Sequence, residues 1–272
     1  MQPASDQTLP LRGIGVLVTR PVAQAQRLCC LLEALGARAI RFPVLDILAP
    51  LDPTAALALV ERLDDFDMAI FTSANAVEFA IPIIREHNPA GFDRLRRVAI
   101  GKATAAALVR AGTPAHILPP PPFNSEVLLA MASMQTVADK RIIIFRGEGG
   151  RELLGGTLAE RGANISYAEV YRRARPDADP RELIKSWQRG EIQAVLATSN
   201  ESLRNLFDMV GELGQQYLCS TLLILVSPRA RDLARSLGFR QAPLLAEEAS
   251  DEAIVEALLK WYQTTVSDGG IR

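Results

Sequence analysis

The sequence predicts an α/β protein made of two similar domains, each a doubly wound parallel sheet, that arose by internal duplication and are joined by two extended links. Three observations predict this fold. The length of 272 residues favours two domains. Short apolar runs alternate with segments of helical period, as in βαβ units whose sheet is covered on both faces. One gap-free repeat, with an offset of 126 residues, runs through almost the whole chain.

The repeat is seen in identical residues and in similar segments. At this offset the repeat aligns Arg20 with Arg146, Thr72 with Thr198 and Gly112 with Gly238. The segment IFTSANAV lies over LATSNESL, and VLVTR lies over IIFRG. Chance would supply one such match, but a series at one offset indicates duplication.

The elements follow from the apolar runs and the glycines. We predict strands at residues 15–19, 68–71, 98–100, 141–145, 194–197 and 222–226. Helices at residues 28–35, 105–111 and 233–237 should end at Gly36, Gly112 and Gly238, because glycine suits the left-handed cap. The segments FPVLDI and EVYRRARP, aligned at Val44 and Val170, are predicted to be the matched links between the domains.

Composition excludes several classes of function. Thirty basic and 31 acidic residues give a net charge of -1, so we expect neither nucleic acid nor a membrane as a partner. The polar first ten residues do not resemble a signal peptide, and we expect a cytoplasmic protein. Three cysteines and two histidines give no disulfide framework and no metal-ligand spacing, so we expect buried thiols and no metal.

Ligands of open parallel sheets bind beyond the carboxyl ends of the strands, where helix N-termini present free N–H groups. Six such ends carry small, polar or cationic residues: Thr19-Arg20-Pro21, Thr72-Ser73-Ala74-Asn75, Gly101-Lys102-Ala103-Thr104, Arg146-Gly147, Thr198-Ser199-Asn200 and Ser227-Pro228-Arg229. Plain helix capping explains Ser73, Ser199 and Ser227 singly. Together the two symmetric sets favour a site between the copies, and their four cations suit a ligand with several carboxylates.

Other motifs are weaker. The run Gly147-Glu148-Gly149-Gly150 resembles a dinucleotide fingerprint, but Glu152 stands where the last glycine is needed, so no nicotinamide cofactor is predicted. The prolines at 119–122 are interpreted as a rigid surface loop. With no activated nucleophile or paired carboxylates, the chemistry needs positioning and one proton donor. Tyr171 is the candidate because its repeat partner is Leu45, although a half-buried linker tyrosine is the alternative interpretation.

In order and spacing, the motifs VLVTRP, FTSANAV, GKATAAAL, VY and TSNESL resemble the uroporphyrinogen-III synthase family, over residues 13–259. The resemblance implies flavodoxin-like domains and a cofactor-free lyase of haem and tetrapyrrole biosynthesis. Such an enzyme takes linear hydroxymethylbilane, expels its hydroxyl, inverts the last pyrrole ring and closes the macrocycle. The substrate is a small molecule, a linear tetrapyrrole with many carboxylates. We also expect a monomer that makes a transient contact with the preceding enzyme of the pathway.

The resemblance also assigns residues. It implies that Tyr171 is the acid that helps the hydroxyl leave. The substrate-binding residues that we expect are Arg20, Ser73, Ala74, Lys102, Thr104, Arg146, Ser199, Asn200, Ser227 and Arg229. Around Ser227 the sequence departs from relatives that have glycine followed by hydroxyl residues.

The resemblance further implies an exchange of segments between the copies. One domain would contain residues 1–43 and 175–272, and the other residues 44–174. Sequence alone leaves two sequential domains open. The alternative function is a hinged binding or sensory protein that holds an anionic small molecule without chemistry.

Overall fold

The computed structural model describes residues 9–150 and 152–267. Its strands are β1 (Gly15–Val18), β2 (Arg38–Arg41), β3 (Asp46–Leu48), β4 (Met68–Phe71), β5 (Arg96–Ala99), β6 (Arg141–Gly147), β7 (Asn164–Ala174), β8 (Ala194–Ala197), β9 (Leu222–Leu225) and β10 (Leu244–Leu245). Its helices are α1 (Val22–Ala34), α2 (Thr54–Glu61), α3 (Ala74–His87), α4 (Pro89–Arg94), α5 (Lys102–Arg110), α6 (Ser125–Ala130), α7 (Ala132–Gln135), α8 (Leu153–Glu160), α9 (Arg181–Gln188), α10 (Asn200–Met209), α11 (Gly211–Leu218), α12 (Ala230–Ser236) and α13 (Asp251–Ser267). A 3₁₀ turn, Leu63–Asp65, follows α2.

The chain divides into two compact units. Unit 1 contains the residues up to Asp46 and those from Ala174 onward, and unit 2 is Ile47–Arg173. Residues 1–8, which belong to the first predicted domain, lie outside the described residues. The sheet of unit 1 has the order β10-β9-β8-β1-β2, and the sheet of unit 2 has the order β3-β7-β6-β4-β5. The α/β class with parallel sheets is therefore confirmed.

Both sheets are covered on both faces, which explains the continuous apolar strands. In β1, Val16 and Val18 pack in one core cluster and Leu17 packs in another. In β6, Ile143 and Phe145 face one cluster, whereas Ile144 faces another. Successive strand residues point to opposite faces, so a strand buried on both faces must be apolar throughout.

Strand bounds agree closely with the predictions, whereas the three helices end within one residue of the predicted ends but begin three to six residues earlier than predicted. Strands at 68–71 and 194–197 were predicted to the residue, and the other four differ by at most two residues at either end. Gly36, Gly112 and Gly238 have φ values of 88°, 70° and 89°, which confirms the left-handed turns after three helices. The second predicted link was placed too early, because its first residues belong to β7, which pairs with β6.

The strand pairings also show how each unit is assembled. β1 pairs with β8 in unit 1, whereas β4 pairs with β6 in unit 2. Unit 1 is therefore built from an early and a late part of the chain. β4 and β5 begin and end 126 residues before β8 and β9, and the order β5-β4-β6-β7 corresponds to β9-β8-β1-β2.

Candidate functional site in unit 2

A cavity of about 480 Å³ lies at the carboxyl ends of β4, β5, β6 and β7 in unit 2. Its walls are Thr72, Ser73, Ile100, Leu154, Tyr171, Arg173 and residues 123–126 and 146–150. The cavity follows from the topology. The chain runs outward from β4 to β5 on one side and from β6 to β7 on the other, so the strand order reverses between β4 and β6. Such a switch point leaves a crevice beyond the strand ends, where ligands bind in open α/β sheets.

Tyr171 forms one wall of this cavity. Its side chain is only 3% exposed, and its hydroxyl oxygen lies 3.1 Å from the Ser73 hydroxyl oxygen. The ring lies against Gly147, where a Cβ would stand 2.6 Å from the tyrosine Cζ. Its other neighbour is the Phe79 ring, with 6.1 Å between centroids. Tyr171 is thus a core residue of β7, and the interpretation as a half-buried linker side chain is wrong.

Ser73 connects this tyrosine to a helix start. It is the N-cap of α3, and its hydroxyl oxygen accepts the Ala76 N–H at 3.0 Å, which confirms the predicted cap. Ala74 is the first residue of α3, so its N–H is among the donors that an α-helix leaves without an intrahelical partner. The partial positive charge of this 14-residue helix therefore lies beside the cavity.

Arg146 is held by several internal contacts. Its guanidinium donates to Glu169 Oε1 at 2.9 Å and to the Gly150 carbonyl at 3.2 Å. It also stacks 3.9 Å from the centroid of the Tyr167 ring. Its side chain is 12% exposed. Arg146 therefore contributes a paired cation to the cavity wall and braces the loop from Gly147 to Gly150.

Lys102 and Thr104 lie in the first turn of α5. Lys102 is exposed, and its ammonium nitrogen is 4.9 Å from the centroid of the Phe123 ring, which lines the cavity. Thr104 is buried, with 3% exposure. The cavity walls given above include neither side chain, so neither of these two predicted residues lines the cavity.

Sequence reasoning missed the wall formed by residues 123–126. Asn124 is the N-cap of α6, and its side-chain oxygen accepts the Val127 N–H at 2.8 Å. It follows Phe123, whose φ is 54°. An asparagine before an apolar helical run is a capping signal, and this signal could have extended the set of candidate residues. The proline run 119–122, interpreted as a surface loop, leads directly into this wall. Arg173, two residues after Tyr171, was also missed.

The remaining predicted residues belong to unit 1. Ser199 is the N-cap of α10 and accepts the Ser202 N–H at 3.0 Å, which confirms that cap. Asn200 begins the same helix. Arg20 forms an ion pair with Asp251, and the two side chains are 14% and 12% exposed. A cavity of about 520 Å³ in unit 1 lies between α12 and the loop after it, and its described lining includes none of these residues.

The predicted cap at Ser227 is wrong. Within the described chain, α12 begins at Ala230, with Arg229 at the N-cap and no side-chain capping bond. The Ser227 carbonyl accepts the Ala230 N–H at 3.1 Å, and Pro228 accepts from Arg231 in the same way. A backbone turn therefore precedes the helix, so the Ser227 hydroxyl lies too early in the chain to cap it. Arg229 is exposed.

Neither histidine lies in the described walls of the cavity. His116 accepts the Arg97 N–H at its Nδ1, and burial together with the neighbouring Arg97 and Arg96 lowers its pKa. Among residues 9–150 and 152–267, no group of three His, Cys, Asp or Glu side chains is placed to hold a metal ion. Over the same residues, no helix is both long enough and apolar enough to cross a bilayer.

Comparison with known proteins identifies the family. The family model described as uroporphyrinogen-III synthase HemD matches residues 26–256. The uroporphyrinogen-III synthase of Escherichia coli (strain K12) is 33% identical over 247 residues, which cover 90% of this chain and 100% of the relative. The enzyme of the same name from Synechococcus elongatus is 27% identical over 262 residues, with coverage of 94% and 98%.

Solved structures show the same fold. The crystal structure of a mutant uroporphyrinogen III synthase from Thermus thermophilus has a TM-score of 0.60 at 20% identity, and the match covers 92% of this chain and 99% of the other. The uroporphyrinogen-III synthetase from Helicobacter pylori 26695 has a TM-score of 0.58 at 15% identity, with coverage of 92% and 100%. At these identities the solved structures show the fold alone. The family model and the sequence relatives show the family. The chain belongs to the uroporphyrinogen-III synthase family.

Proposed function

We propose that this chain converts hydroxymethylbilane to uroporphyrinogen III, with loss of water and inversion of ring D. The observation that carries the mechanism is the Tyr171 hydroxyl at the wall of a strand-end cavity, 3.1 Å from the Ser73 hydroxyl. Membership of the family supports the reaction, and the position of Tyr171 supports its role as the acid.

In the proposed reaction, Tyr171 transfers its phenolic proton to the terminal hydroxyl of the bilane. The bond from carbon to that oxygen breaks, and the oxygen leaves as water. Ring D, the last pyrrole, then attacks the carbon cation through the α-carbon that already carries its methylene bridge. That bridge bond breaks and re-forms at the other α-carbon of ring D, which inverts the ring. The proton that this second carbon loses restores the aromatic pyrrole and is returned to the phenolate of Tyr171. General acid help of this kind is typically worth about 100-fold to 10,000-fold in rate. Because pyrrole nitrogens already assist the departure, we expect the lower part of that range.

Binding in this proposal rests on many modest contacts to the carboxylates. Ala74 and Asn200 offer backbone N–H groups at the starts of α3 and α10, and Ser73 and Ser199 cap the same helices. Lys102 and Arg229 are exposed cations, which suits exposed acetates and propionates. Arg20 and Arg146 already have carboxylate partners, Asp251 and Glu169. We therefore propose that they bind substrate weakly, with Thr104 and Ser227 as further neighbours.

The proposal also includes the origin of the two units. The constant spacing of 126 residues between strands, together with the matching strand orders, supports two flavodoxin-like domains from one duplication. The chain passes between the units twice, before Ile47 and after Arg173, and we propose that these passages are the two extended links. A cytoplasmic location, a monomeric state and a transient contact with the preceding enzyme stay predictions.

The test is to incubate the purified chain with hydroxymethylbilane that is generated enzymatically, and to separate the product isomers. The bilane closes spontaneously to isomer I, so a catalyst of the proposed reaction must yield an excess of isomer III. Heat-inactivated protein provides the background of isomer I. Product that consists of isomer I alone, from protein shown to be folded by circular dichroism, would contradict the proposed function.

A further inference from the structure

We propose that Ser73 is a positioning residue that orients the Tyr171 hydroxyl, so that the phenolic proton points into the cavity of unit 2. This inference rests on the proposed function, since it describes how the acid of that reaction is held. Ser73 itself acts through Tyr171 and transfers no proton to the substrate.

The inventory of donors and acceptors around Ser73 allows this direction. A serine hydroxyl has one proton to donate and two lone pairs. One lone pair of Ser73 Oγ accepts the Ala76 N–H at 3.0 Å. Among the hydrogen bonds of the described residues, the Tyr171 oxygen, at 3.1 Å, is the other partner of Ser73 Oγ. Either oxygen can be the donor at this distance. In the direction that we propose, Ser73 donates its proton to the tyrosine oxygen, and the proton of Tyr171 stays available for the substrate.

The rest of Tyr171 has little freedom, so the hydroxyl torsion is what remains to be set. The main chain is held in β7, where the Tyr171 carbonyl accepts the Glu148 N–H at 2.9 Å. The ring fills the space left by the absent side chain of Gly147 and packs near Phe79. A phenolic proton prefers the ring plane and thus has two orientations. A hydrogen-bond donor on one side of the oxygen forces the phenolic proton into the orientation on the opposite side. In the proposed direction, Ser73 is that donor.

Unit 1 contains a natural control for the capping role. Ser199 caps α10 with the same 3.0 Å bond to the backbone and nearly the same backbone angles as Ser73. Its hydroxyl, however, lies 2.8 Å from Ser202 Oγ rather than near a tyrosine. Ser73→Ala and Ser199→Ala therefore remove equivalent caps, and only the first removes a contact to Tyr171.

The first test is a double-mutant cycle on isomer III formation. A hydrogen bond worth about 1 kcal/mol corresponds to about fivefold, so we expect Ser73→Ala to lower kcat about fivefold with little change in KM. In the Tyr171→Phe background the same substitution should change kcat less than about twofold, because no phenolic proton remains to be oriented. Ser199→Ala should have the same effect in both backgrounds. Equal effects of Ser73→Ala in both backgrounds would overturn the inference.

The second test needs no activity. Tyrosine labelled with ¹³C at Cζ gives one signal for each of the four tyrosines, and Tyr171→Phe identifies the signal of Tyr171. We expect Ser73→Ala to shift this signal and Ser199→Ala to leave it in place. Ser73→Gly provides a second variant without the hydroxyl, since glycine at an N-cap costs only a few tenths of a kcal/mol. An unmoved Tyr171 signal in folded Ser73→Ala and Ser73→Gly would refute the contact. Failure of the proposed function appears separately, as wild-type protein that forms no isomer III.

Discussion

The strand ends of the two units share a capping serine and differ in the side chain that this serine contacts. In both, a serine caps the helix after an apolar strand and accepts a backbone N–H at 3.0 Å. In unit 2 the serine hydroxyl also meets Tyr171, whereas the residue 126 positions earlier is Leu45, which is buried and apolar. Both units therefore share the capped helix start, which presents backbone N–H donors. The tyrosine beside the cap is found in unit 2. In the proposed mechanism, the chemistry depends on this one hydroxyl of unit 2.

A second pair of residues shows how far the similarity extends. Arg20 and Arg146 stand one offset apart, and each forms an ion pair inside its own unit. Asp251 is the first residue of α13, whereas Glu169 lies in β7, so the two partners come from unrelated positions. Both units must neutralise a largely buried arginine, and each does so with a carboxylate from a different element.

The largest effect that we expect comes from filling the space beside Tyr171. In Gly147→Ala the new Cβ would stand 2.6 Å from the tyrosine Cζ, so the ring must move. We expect a loss of about 1 to 3 kcal/mol in the free energy of unfolding. We also expect at least a tenfold slower formation of isomer III, since the acid is displaced. Urea unfolding and the isomer assay measure the two effects.

Gly156→Ala is the matched control, because, apart from its chain neighbours and the backbone of its own helix, no atom of the described residues lies within 4 Å of the new Cβ. It lies inside α8, where alanine is preferred over glycine by about 0.5 to 1 kcal/mol. We expect equal or higher stability and unchanged turnover. A Gly147→Ala protein that behaves like Gly156→Ala would show that Tyr171 does not need its present place.

The ion pairs allow a comparison of burial between the units. Asp251 is 12% exposed, whereas Glu169 is 38% exposed. Loss of a carboxylate leaves the arginine without its partner, and the cost rises with burial. We expect Asp251→Asn to lower the free energy of unfolding by about 2 kcal/mol and Glu169→Gln by about 1 kcal/mol. Equal losses in urea titrations would argue against burial as the cause.

The smallest effects should come from the two caps. Ser73→Ala and Ser199→Ala each remove one side-chain bond to a helix start, which typically costs about 1 kcal/mol. We expect similar decreases in thermal stability for both variants. Turnover should fall several-fold for each, through the Tyr171 hydroxyl in Ser73→Ala and through weaker substrate binding in Ser199→Ala. Complete loss of activity from either substitution would contradict recognition that is spread over many contacts.

The sequence predicted those features that local chemistry determines. Strands such as β4 and β8 were found to the residue because burial on both faces requires continuous apolar runs. Gly36 and Gly112 were recognised because only a residue that tolerates positive φ ends a helix in this way. The caps at Ser73 and Ser199 follow from the same local reasoning.

Contacts between distant residues were beyond that reasoning. Ser73 and Tyr171 are 98 residues apart in the chain, and their contact depends on the order of β4, β6 and β7 and on the bulge after Arg146. The partnership of Arg20 with Asp251 spans 231 residues. Ser227 was predicted to cap a helix that begins at the next residue. The helix begins after an additional backbone turn, and no single residue type in the sequence indicates that turn.

The most direct test of the account is the rate of isomer III formation by Tyr171→Phe. The substitution removes one hydroxyl and leaves the ring, so folding and affinity for the product should remain nearly unchanged. We predict a rate at least tenfold below that of the wild-type protein, in line with the lower range of general acid catalysis. A Tyr171→Phe protein with the wild-type rate would contradict the central claim and leave Tyr171 as a packing residue of β7.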